Sequence, residues 1–184
     1  MKNELWDWIK TIAIALIIVF AIRGFIASPV LVDGESMMPT LEHHDRLIVN
    51  KIGPTLSGYD HFDVVVFEVS ENTNYIKRVI GLPGDHVAYE NDQLYINGEP
   101  YDEPYLDQYK AEMPAGYLLT EDFKMEDVTG EMVVPEGKLF VLGDNRHNST
   151  DSRFSSLGFV DQDDVMGTTK IIFWPFKNIG IVKH

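Results

Sequence analysis

The chain has 184 residues, enough for one folded domain of ordinary size with a short additional segment. Its 15 basic and 29 acidic residues give a formal charge of −14, which argues against nucleic acid as a partner and suits a polypeptide substrate better. Because the chain has no cysteine, a disulfide framework, a thiolate metal site and a cysteine nucleophile are all excluded.

The first segment is apolar. Residues 11–22 carry no charge and lie between Lys10 and Arg23. In a helix this run spans only about 18 Å, less than a bilayer core of about 30 Å. Residues 5–27 are long enough to span if Lys10 and Arg23 extend toward the headgroups. We therefore predict that residues 1–27 form a cytoplasmic tip and one transmembrane anchor, with a cleaved secretory signal as the alternative.

The distribution of basic residues predicts the orientation of this anchor. Lys2 and Lys10 precede the apolar run, and no basic residue occurs between Arg23 and Arg46. The positive-inside rule then places the N-terminus in the cytoplasm and the rest of the chain outside the plasma membrane. We expect the lipid bilayer to be a partner, and the sequence gives no indication of the oligomeric state.

After residue 28 the sequence consists of short apolar runs separated by turn residues. Many of these runs are β-branched, so we predict a mainly β domain over residues 28–184. Asn91-Asp92 and Asn97-Gly98 are hairpin turn signals. Residues 99–137 are acidic and weakly periodic, and we interpret them as a peripheral excursion without a large core of its own. The predicted strands are residues 29–32, 46–51, 63–69, 75–80, 86–89, 93–96, 139–142 and 168–173.

A candidate nucleophile follows the first predicted strand. Ser36 lies in the run Gly34-Glu35-Ser36-Met37-Met38-Pro39-Thr40-Leu41. Gly34 leaves room for a substrate backbone, and Pro39 fixes the chain after the serine. The run lacks the second glycine of the esterase elbow and the S-x-x-K pattern, so by itself it also fits an ordinary turn.

A candidate base for this serine is Lys77, in the run Tyr75-Ile76-Lys77-Arg78-Val79-Ile80-Gly81-Leu82-Pro83-Gly84-Asp85. On a strand Lys77 shares one face with Tyr75 and Val79, between apolar neighbours. Burial there would lower its pKa from about 10.4 to about 7 to 8. A desolvated lysine amine of this kind can take the proton of a serine. The alternative is an edge-strand lysine that reaches water.

A third polar run follows the predicted strand 139–142. It reads Gly143-Asp144-Asn145-Arg146-His147-Asn148-Ser149-Thr150-Asp151-Ser152-Arg153. Such a run is either a solvated loop or part of a site. As a site, it offers Ser149 to orient the lysine amine and Asp151 with Arg153 as a scaffolding ion pair, with Asp144 as a further scaffolding residue.

These three runs, in this order after an apolar anchor, resemble the type I signal peptidases of bacteria. The single anchor and compact length are similar to the Gram-positive branch. The resemblance implies a signal-peptidase-like β-strand catalytic domain and a membrane-bound Ser/Lys serine protease that removes N-terminal signal peptides from exported preproteins. Eukaryotic reticulum relatives carry a histidine in place of the lysine, so Lys77 argues against that branch.

The resemblance also implies roles for individual residues. Ser36 would form the acyl-enzyme and supply a backbone N–H to the oxyanion, Lys77 would be the general base, and Ser149 would hold the amine. Some members have a second serine two positions before the nucleophile, where this chain has Gly34. Substrates would bind as an extended strand against Val30, Val32, Gly34, Tyr75 and Ile76, with small residues one and three positions before the cut (Ala-x-Ala).

The sequence leaves three alternatives: a metal site, another class of Ser/Lys enzyme and a non-catalytic binding domain. His43-His44-Asp45 and His61 with Asp63 are poor metal ligand sets, because adjacent histidines on a strand point apart, so we expect neither a metal nor another cofactor. A rival enzyme class is the self-cleaving Ser/Lys repressor-type protease, which normally carries a DNA-binding region and no anchor. A rival of another class is a non-catalytic, membrane-tethered β domain that binds extended peptides.

Overall fold

The computed structural model describes residues 2–71 and 73–182 of the chain. It begins with helix α1, Lys2–Ala21, which continues as a π-helical segment over Ile22–Ile26. Within it, Trp6–Ile26 has a mean hydropathy of 2.3 and is long and apolar enough to cross a membrane. The apolar segment thus lies on one continuous helical rod that leads directly into the first strand.

The remainder of the described chain is mainly β, with three short helices. The helices are α2 (Gly53–Ser57), α3 (Asp107–Glu112) and α4 (Met125–Thr129). The strands are β1 (Ala27–Leu31), β2 (Arg46–Asn50), β3 (Val64–Ser70), β4 (Thr73–Gly81), β5 (Val87–Glu90), β6 (Gln93–Ile96), β7 (Glu99–Tyr101), β8 (Phe123–Lys124), β9 (Lys138–Leu142), β10 (Val160–Asp161), β11 (Val165–Trp174) and β12 (Gly180–Ile181).

The strands form two antiparallel sheets. The first has the order β1-β2-β11-β3-β4-β9-β10, with β12 beside β11, and the second has the order β7-β6-β5-β8. Among the described residues, β1 is an edge strand of the first sheet and has β2 as its single neighbour. The pairing of β9 with β4 covers residues 78–81 but not the preceding half of β4. One edge of β4 before Arg78 is therefore open.

The core lies between the sheets and beneath the connection from β1 to β2. Ile80 and Phe140 of the first sheet pack against Val87 and Leu94 of the second in one fully buried cluster. Burial of each such side chain contributes about 1.5 to 3 kcal/mol, so this cluster fixes how the two sheets meet. A second cluster lies under the β1–β2 connection and comprises Val32, Met37, Leu41, Leu47, Val64, Ile172 and Val182.

The segment 99–137 packs along the second sheet. It has a small buried cluster of its own, formed by Tyr105, Leu106 and Leu119. It also inserts Met125 and Val134 into the cluster between the sheets. Those two insertions are a part of the packing that the weak periodicity of the segment did not predict.

The predicted fold class is confirmed: the chain is mainly β and is preceded by one apolar helix that is a candidate membrane span. All eight predicted strands are present, with bounds that differ by a few residues. Both hairpin turns are also present, with positive φ at Asn91, Asp92, Asn97 and Gly98. The short strands β7, β8, β10 and β12 were not predicted, because two or three residues are too few to show an alternating pattern.

Candidate active site

Ser36 is held on the connection between β1 and β2, residues 32–45. Gly34, two residues before it, has a φ of 117°, a left-handed conformation in which a side chain would be strained. Met37 and Leu41, on the other side of the serine, are buried and anchor the loop in the cluster beneath it. The glycine turn and the apolar anchors together leave Ser36 half-buried at the surface of the sheet.

Asn145 fixes the same loop from the opposite side. Its backbone N–H donates to the carbonyl of Ser36 at 3.0 Å, and its side-chain amide donates to the carbonyl of Glu35 at 3.1 Å. Within the described part of the chain, the N–H of Ser36 itself has no hydrogen-bond acceptor. The loop therefore presents a fixed serine beside a free backbone donor.

Lys77 lies on β4 directly beside this serine. Its Nζ is 2.7 Å from Ser36 Oγ and 3.1 Å from the carbonyl of Ile76, and it lies 5.0 Å from the ring centre of Tyr75. The residue is only 3% exposed. Burial lowers the pKa of Lys77 to about 8, although Asp151 and Asp144 raise it in part. At mildly alkaline pH this amine is neutral and can accept a proton.

The polar run after β9 forms the wall behind the pair. Asp144 accepts hydrogen bonds from Arg78 at 2.9 and 2.6 Å, with both side chains fully buried. Asp151 pairs with Arg153 through two contacts of 2.8 Å, and it also accepts from the Gly143 N–H at 3.0 Å. The structure thus brings the predicted scaffolding residues into two bidentate ion pairs.

Gly143 permits the close approach of three parts of the site. A Cβ at this position would collide with the side chain of Ser149 and with the backbone oxygen of Ser36. The absence of a side chain at Gly143 therefore lets the polar run lie directly against the serine loop.

Ser149 is placed near the pair but not in hydrogen-bond contact with it. Its Oγ is buried, and among the described residues it has no hydrogen-bond partner. It lines the same groove as Ser36 and Lys77. Its predicted role in orienting the amine stays a prediction.

A groove of about 1110 Å³ runs over the pair, between the free edge of β1 and the open edge of β4. Val32 is buried and Ile76 packs against the cluster below it, so these two residues give the groove an apolar floor. All five residues predicted to contact substrate line this groove: Val30, Val32, Gly34, Tyr75 and Ile76.

Three features of the site were missed from the sequence. One is the clamp made by Asn145. Another is His43, whose Nδ1 accepts the N–H of Gly34 at 3.1 Å. The third is a buried network in which Arg146 pairs with Glu103 and contacts the hydroxyl of Tyr89. The sequence signals for this network were Arg146, within the polar run, and Glu103, within the segment 99–137, and nothing in the sequence paired them.

The histidines considered as metal ligands have other neighbours. The rings of His43 and His44 lie 3.7 Å apart, centre to centre. His61, near Asp63 in sequence, pairs instead with Asp85 at 2.7 Å.

A buried amine with a lowered pKa, beside a fixed serine in a groove between two strand edges, is the arrangement of a Ser/Lys hydrolase. The family model for signal peptidase, peptidase S26, matches residues 5–174. The chain is 45% identical to signal peptidase IB of Staphylococcus aureus (strain Mu50 / ATCC 700699), over 96% of this chain and 93% of the relative. It is 47% identical to signal peptidase I of Bacillus caldolyticus, over 97% of this chain and 94% of the relative.

Among solved structures, a crystal structure of a signal peptidase I from Enterococcus faecalis V583 is similar, with a TM-score of 0.56 and 43% identity. The match covers 60% of this chain and 95% of that one. The chain belongs to the signal peptidase family, peptidase S26.

Proposed function

We propose that this protein is a membrane-anchored serine endopeptidase that removes N-terminal signal peptides from exported preproteins, with Ser36 as nucleophile and Lys77 as general base. The observation that carries this assignment is the 2.7 Å separation of Lys77 Nζ and Ser36 Oγ, combined with a lysine pKa of about 8. Membership of the signal peptidase family supports the same reaction.

The reaction begins when the neutral Lys77 amine accepts the hydroxyl proton of Ser36. Oγ attacks the scissile carbonyl, and the free N–H of Ser36 stabilises the oxyanion. The Lys77 ammonium then donates its proton to the leaving amine, which departs as the new N-terminus of the mature protein. A water molecule, deprotonated by Lys77, attacks the acyl ester, and collapse of the second intermediate releases the signal peptide and restores Ser36.

Ser149 orients the amine in this mechanism. Its hydroxyl is buried, lines the groove and has no partner among the described residues. A buried hydroxyl without a partner costs about 1 to 3 kcal/mol, and a hydrogen bond to the Lys77 amine would remove that cost. Replacing Ser149 with alanine should therefore lower kcat more than it raises KM.

The substrate occupies the groove as an extended strand between β1 and β4. Its backbone pairs with the two open strand edges, and alternate side chains point toward Val32 and Ile76. The apolar floor suits small apolar side chains one and three positions before the cut. Apolar contacts discriminate by only about 1 to 3 kcal/mol per methylene, so exclusion of large side chains is mainly steric.

The bilayer is the second partner, with the N-terminus in the cytoplasm and the β domain outside. The candidate span Trp6–Ile26 leads directly into β1. Exposed apolar side chains also lie farther along the sheet, where Leu31 of β1 and Trp174 of β11 both pair with Arg46. Exposed apolar side chains of this kind mark interaction sites, and their presence in the domain that follows the span suits contact with lipid.

The orientation can be tested directly because the chain has no cysteine. Glu4→Cys and Glu99→Cys would be expressed separately in intact cells or right-side-out vesicles and treated with a membrane-impermeant maleimide. Labelling of the Glu99 variant alone agrees with the proposal. Labelling of the Glu4 variant alone reverses it.

The decisive experiment is cleavage of a purified preprotein with an Ala-x-Ala site, in detergent, by the wild type, Ser36→Ala and Lys77→Ala. Mass spectrometry locates the cut, and Lys138→Ala serves as a control on a partly exposed lysine of β9. Cleavage after the second alanine by the wild type and the control alone supports the proposal. Equal cleavage by all four would contradict the dyad, and binding without cleavage by all four would favour the tethered binding module.

A further inference from the structure

The strand that leads to Ser36 has two unlike faces. Val32 is buried at 4% exposure and lines the floor of the groove, whereas Leu31 is 52% exposed and the side chain of Asp33 is 89% exposed. This is the alternation of an extended strand, in which successive side chains point to opposite faces. Asp33 therefore lies on the outer face of this segment, at the rim of the groove that it lines together with Val32 and Gly34.

The backbone hydrogen bonds show which groups of this strand face the substrate. The N–H of Val32 donates to the carbonyl of Asp45 at 2.8 Å, and the carbonyl of Val32 accepts from His44 at 2.9 Å. The backbone groups of Val32 are thus used on the side away from the groove. In an extended strand the groups of the adjacent residues, Leu31 and Asp33, point to the other side.

A substrate that pairs with Leu31 and Asp33 must follow the same alternation. Neighbouring strands in a sheet place paired side chains on the same face, whichever direction the added strand runs. This step rests on the proposed function, in which the residues one and three positions before the cut point to the floor. The residue between them then points outward, on the face that carries Asp33.

Two carboxylates, Asp33 and Glu35, lie among the residues that line the groove, and both residues are exposed. The amine of Lys77 also lines the groove, but it is buried against Ser36. His43 Nδ1 is 3.5 Å from Asp33, and it accepts the Gly34 N–H, which requires that nitrogen to be unprotonated. The Asp33 charge therefore remains available on the outer face.

We propose that Asp33 is a specificity-determining residue that selects the charge of the substrate residue lying between the two small residues before the cut. A lysine or arginine at that position is favoured and an aspartate or glutamate is disfavoured. Opposite charges directly across a pair of strands attract, and like charges repel.

The expected size of the effect is modest because the carboxylate is solvated. A cross-strand charge pair changes an equilibrium by about 1.4- to 5-fold. The lysine-to-glutamate ratio contains one attraction and one repulsion, so two factors of about twofold each multiply. We expect kcat/KM for a lysine substrate to exceed that for a glutamate substrate by about three- to fivefold. The ratio should shrink as salt is raised, since the screening length falls to about 3 Å at 1 M.

The test uses the full-length enzyme in neutral detergent and three preproteins that differ only in the middle residue of Ala-x-Ala: lysine, glutamine or glutamate. The ratio of kcat/KM for lysine to glutamate would be measured for the wild type, Asp33→Asn and Glu90→Gln. Glu90 is an exposed carboxylate on the second sheet and is the matched control. The proposal expects a ratio of about three to five in the wild type and in Glu90→Gln, and about one in Asp33→Asn.

Failure of this inference is separable from failure of the proposed function. If the glutamine substrate is cut at the expected bond but the wild-type ratio is near one, or if Asp33→Asn leaves it unchanged, the charge-selection proposal is overturned and the peptidase assignment stands. If none of the three substrates is cut, the peptidase assignment fails first.

Discussion

Lys77 and Arg78, two neighbouring residues of β4, are both buried, but their pKa values are shifted in opposite directions. Lys77 faces the groove, has a serine hydroxyl as its side-chain partner, and its pKa is lowered to about 8 by burial. Arg78 points to the other face and forms a bidentate pair with Asp144. Burial alone would lower the pKa of Arg78, but Asp144 holds it above its ordinary value. Burial without a carboxylate partner makes a base, and burial with one makes a permanent structural charge.

The same contrast extends over the rest of the site. Arg146 is as buried as Arg78, and it pairs with Glu103 and contacts the hydroxyl of Tyr89. Its pKa lies well above the ordinary value, because Tyr89 and Glu103 outweigh the effect of burial. In these two cases the fold supplies a counter-ion to a buried arginine, and at Lys77 no carboxylate is within ion-pair distance among the described residues.

The largest expected effect, on catalytic activity, comes from replacing Lys77 with an arginine, the residue type found at position 78. Lys77→Arg keeps the cation but prevents deprotonation, because a guanidinium has a pKa above about 12. We expect kcat/KM for preprotein cleavage to fall by about 10³-fold or more, as when other members of a catalytic group are removed. Lys138→Arg, at an exposed ion pair, is the control and should stay within about twofold of the wild type. Cleavage by Lys77→Arg within about tenfold of the wild type would argue against a lysine base.

The next largest effect, on stability, comes from removing the carboxylate that pairs with Arg78. Asp144→Ala leaves Arg78 buried without its carboxylate, which should cost about 3 to 5 kcal/mol in the free energy of unfolding. Urea unfolding in detergent, followed by circular dichroism, measures this loss. The double change Arg78→Met with Asp144→Leu should recover most of it, because no charge is then buried alone. A loss below about 1 kcal/mol in Asp144→Ala would show that solvent reaches the arginine.

Replacing Lys77, the buried cation that has no carboxylate partner, should stabilise the fold rather than destabilise it. In the folded state the pKa of Lys77 is about 8, against an ordinary value of 10.5. Between these values the unfolded chain binds more protons, so stability rises with pH, and below pH 8 the folded state bears the full cost, about 3 kcal/mol. Lys77→Met should therefore gain about 2 to 3 kcal/mol at pH 7 while losing activity.

The stability difference between this variant and the wild type should shrink as pH rises from 8 toward 10, and urea unfolding at several pH values measures it. Lys138→Met, at a partly exposed position with a carboxylate partner, should show no comparable gain. If Lys77→Met were less stable than the wild type at pH 7, the lysine would be solvated in the folded enzyme.

The sequence predicted the strands and the candidate site residues, but it did not predict which residue pairs with Arg78. The strands followed from short apolar runs, and Ser36, Lys77 and the polar run followed from motifs in order. That Lys77 and Arg78 lie on opposite faces also followed from the strand period. Their partners did not, since Asp144 lies 66 residues from Arg78 and meets it only through the register of β4 with β9.

Other contacts were hidden for the same reason. Asn145 reaches the serine loop across 110 residues, and Glu103 reaches Arg146 across 43. Local patterns report which face of an element is apolar, but long-range pairs depend on how the sheets pack. The segment 99–137 was the hardest to interpret, because its buried glutamate and its two core residues occur without a periodic pattern.

The smallest effect tests whether distant carboxylates adjust the base. Asp151 raises the pKa of Lys77, in opposition to burial. In Asp151→Asn the side-chain oxygen can still accept the Gly143 N–H, but the negative charge is lost and Arg153 is no longer neutralised. Both changes disfavour an ammonium at Lys77, so its pKa should fall further. The alkaline rise in kcat/KM should then occur at lower pH than in the wild type.

The matched control is Asp161→Asn, at an exposed carboxylate on β10 that pairs with Lys138. Its pH profile should coincide with that of the wild type, because solvent screens a distant exposed charge. A shift of the Asp151→Asn profile to higher pH would contradict the expected sign, and a profile that did not move would mean that the charge of Asp151 has no effect on the pKa of Lys77. In that case the ion pair of Asp151 and Arg153 would act only by holding the polar run against the serine loop. A shift to lower pH in Asp151→Asn alone would show that the unpaired lysine still responds to carboxylates that it does not touch.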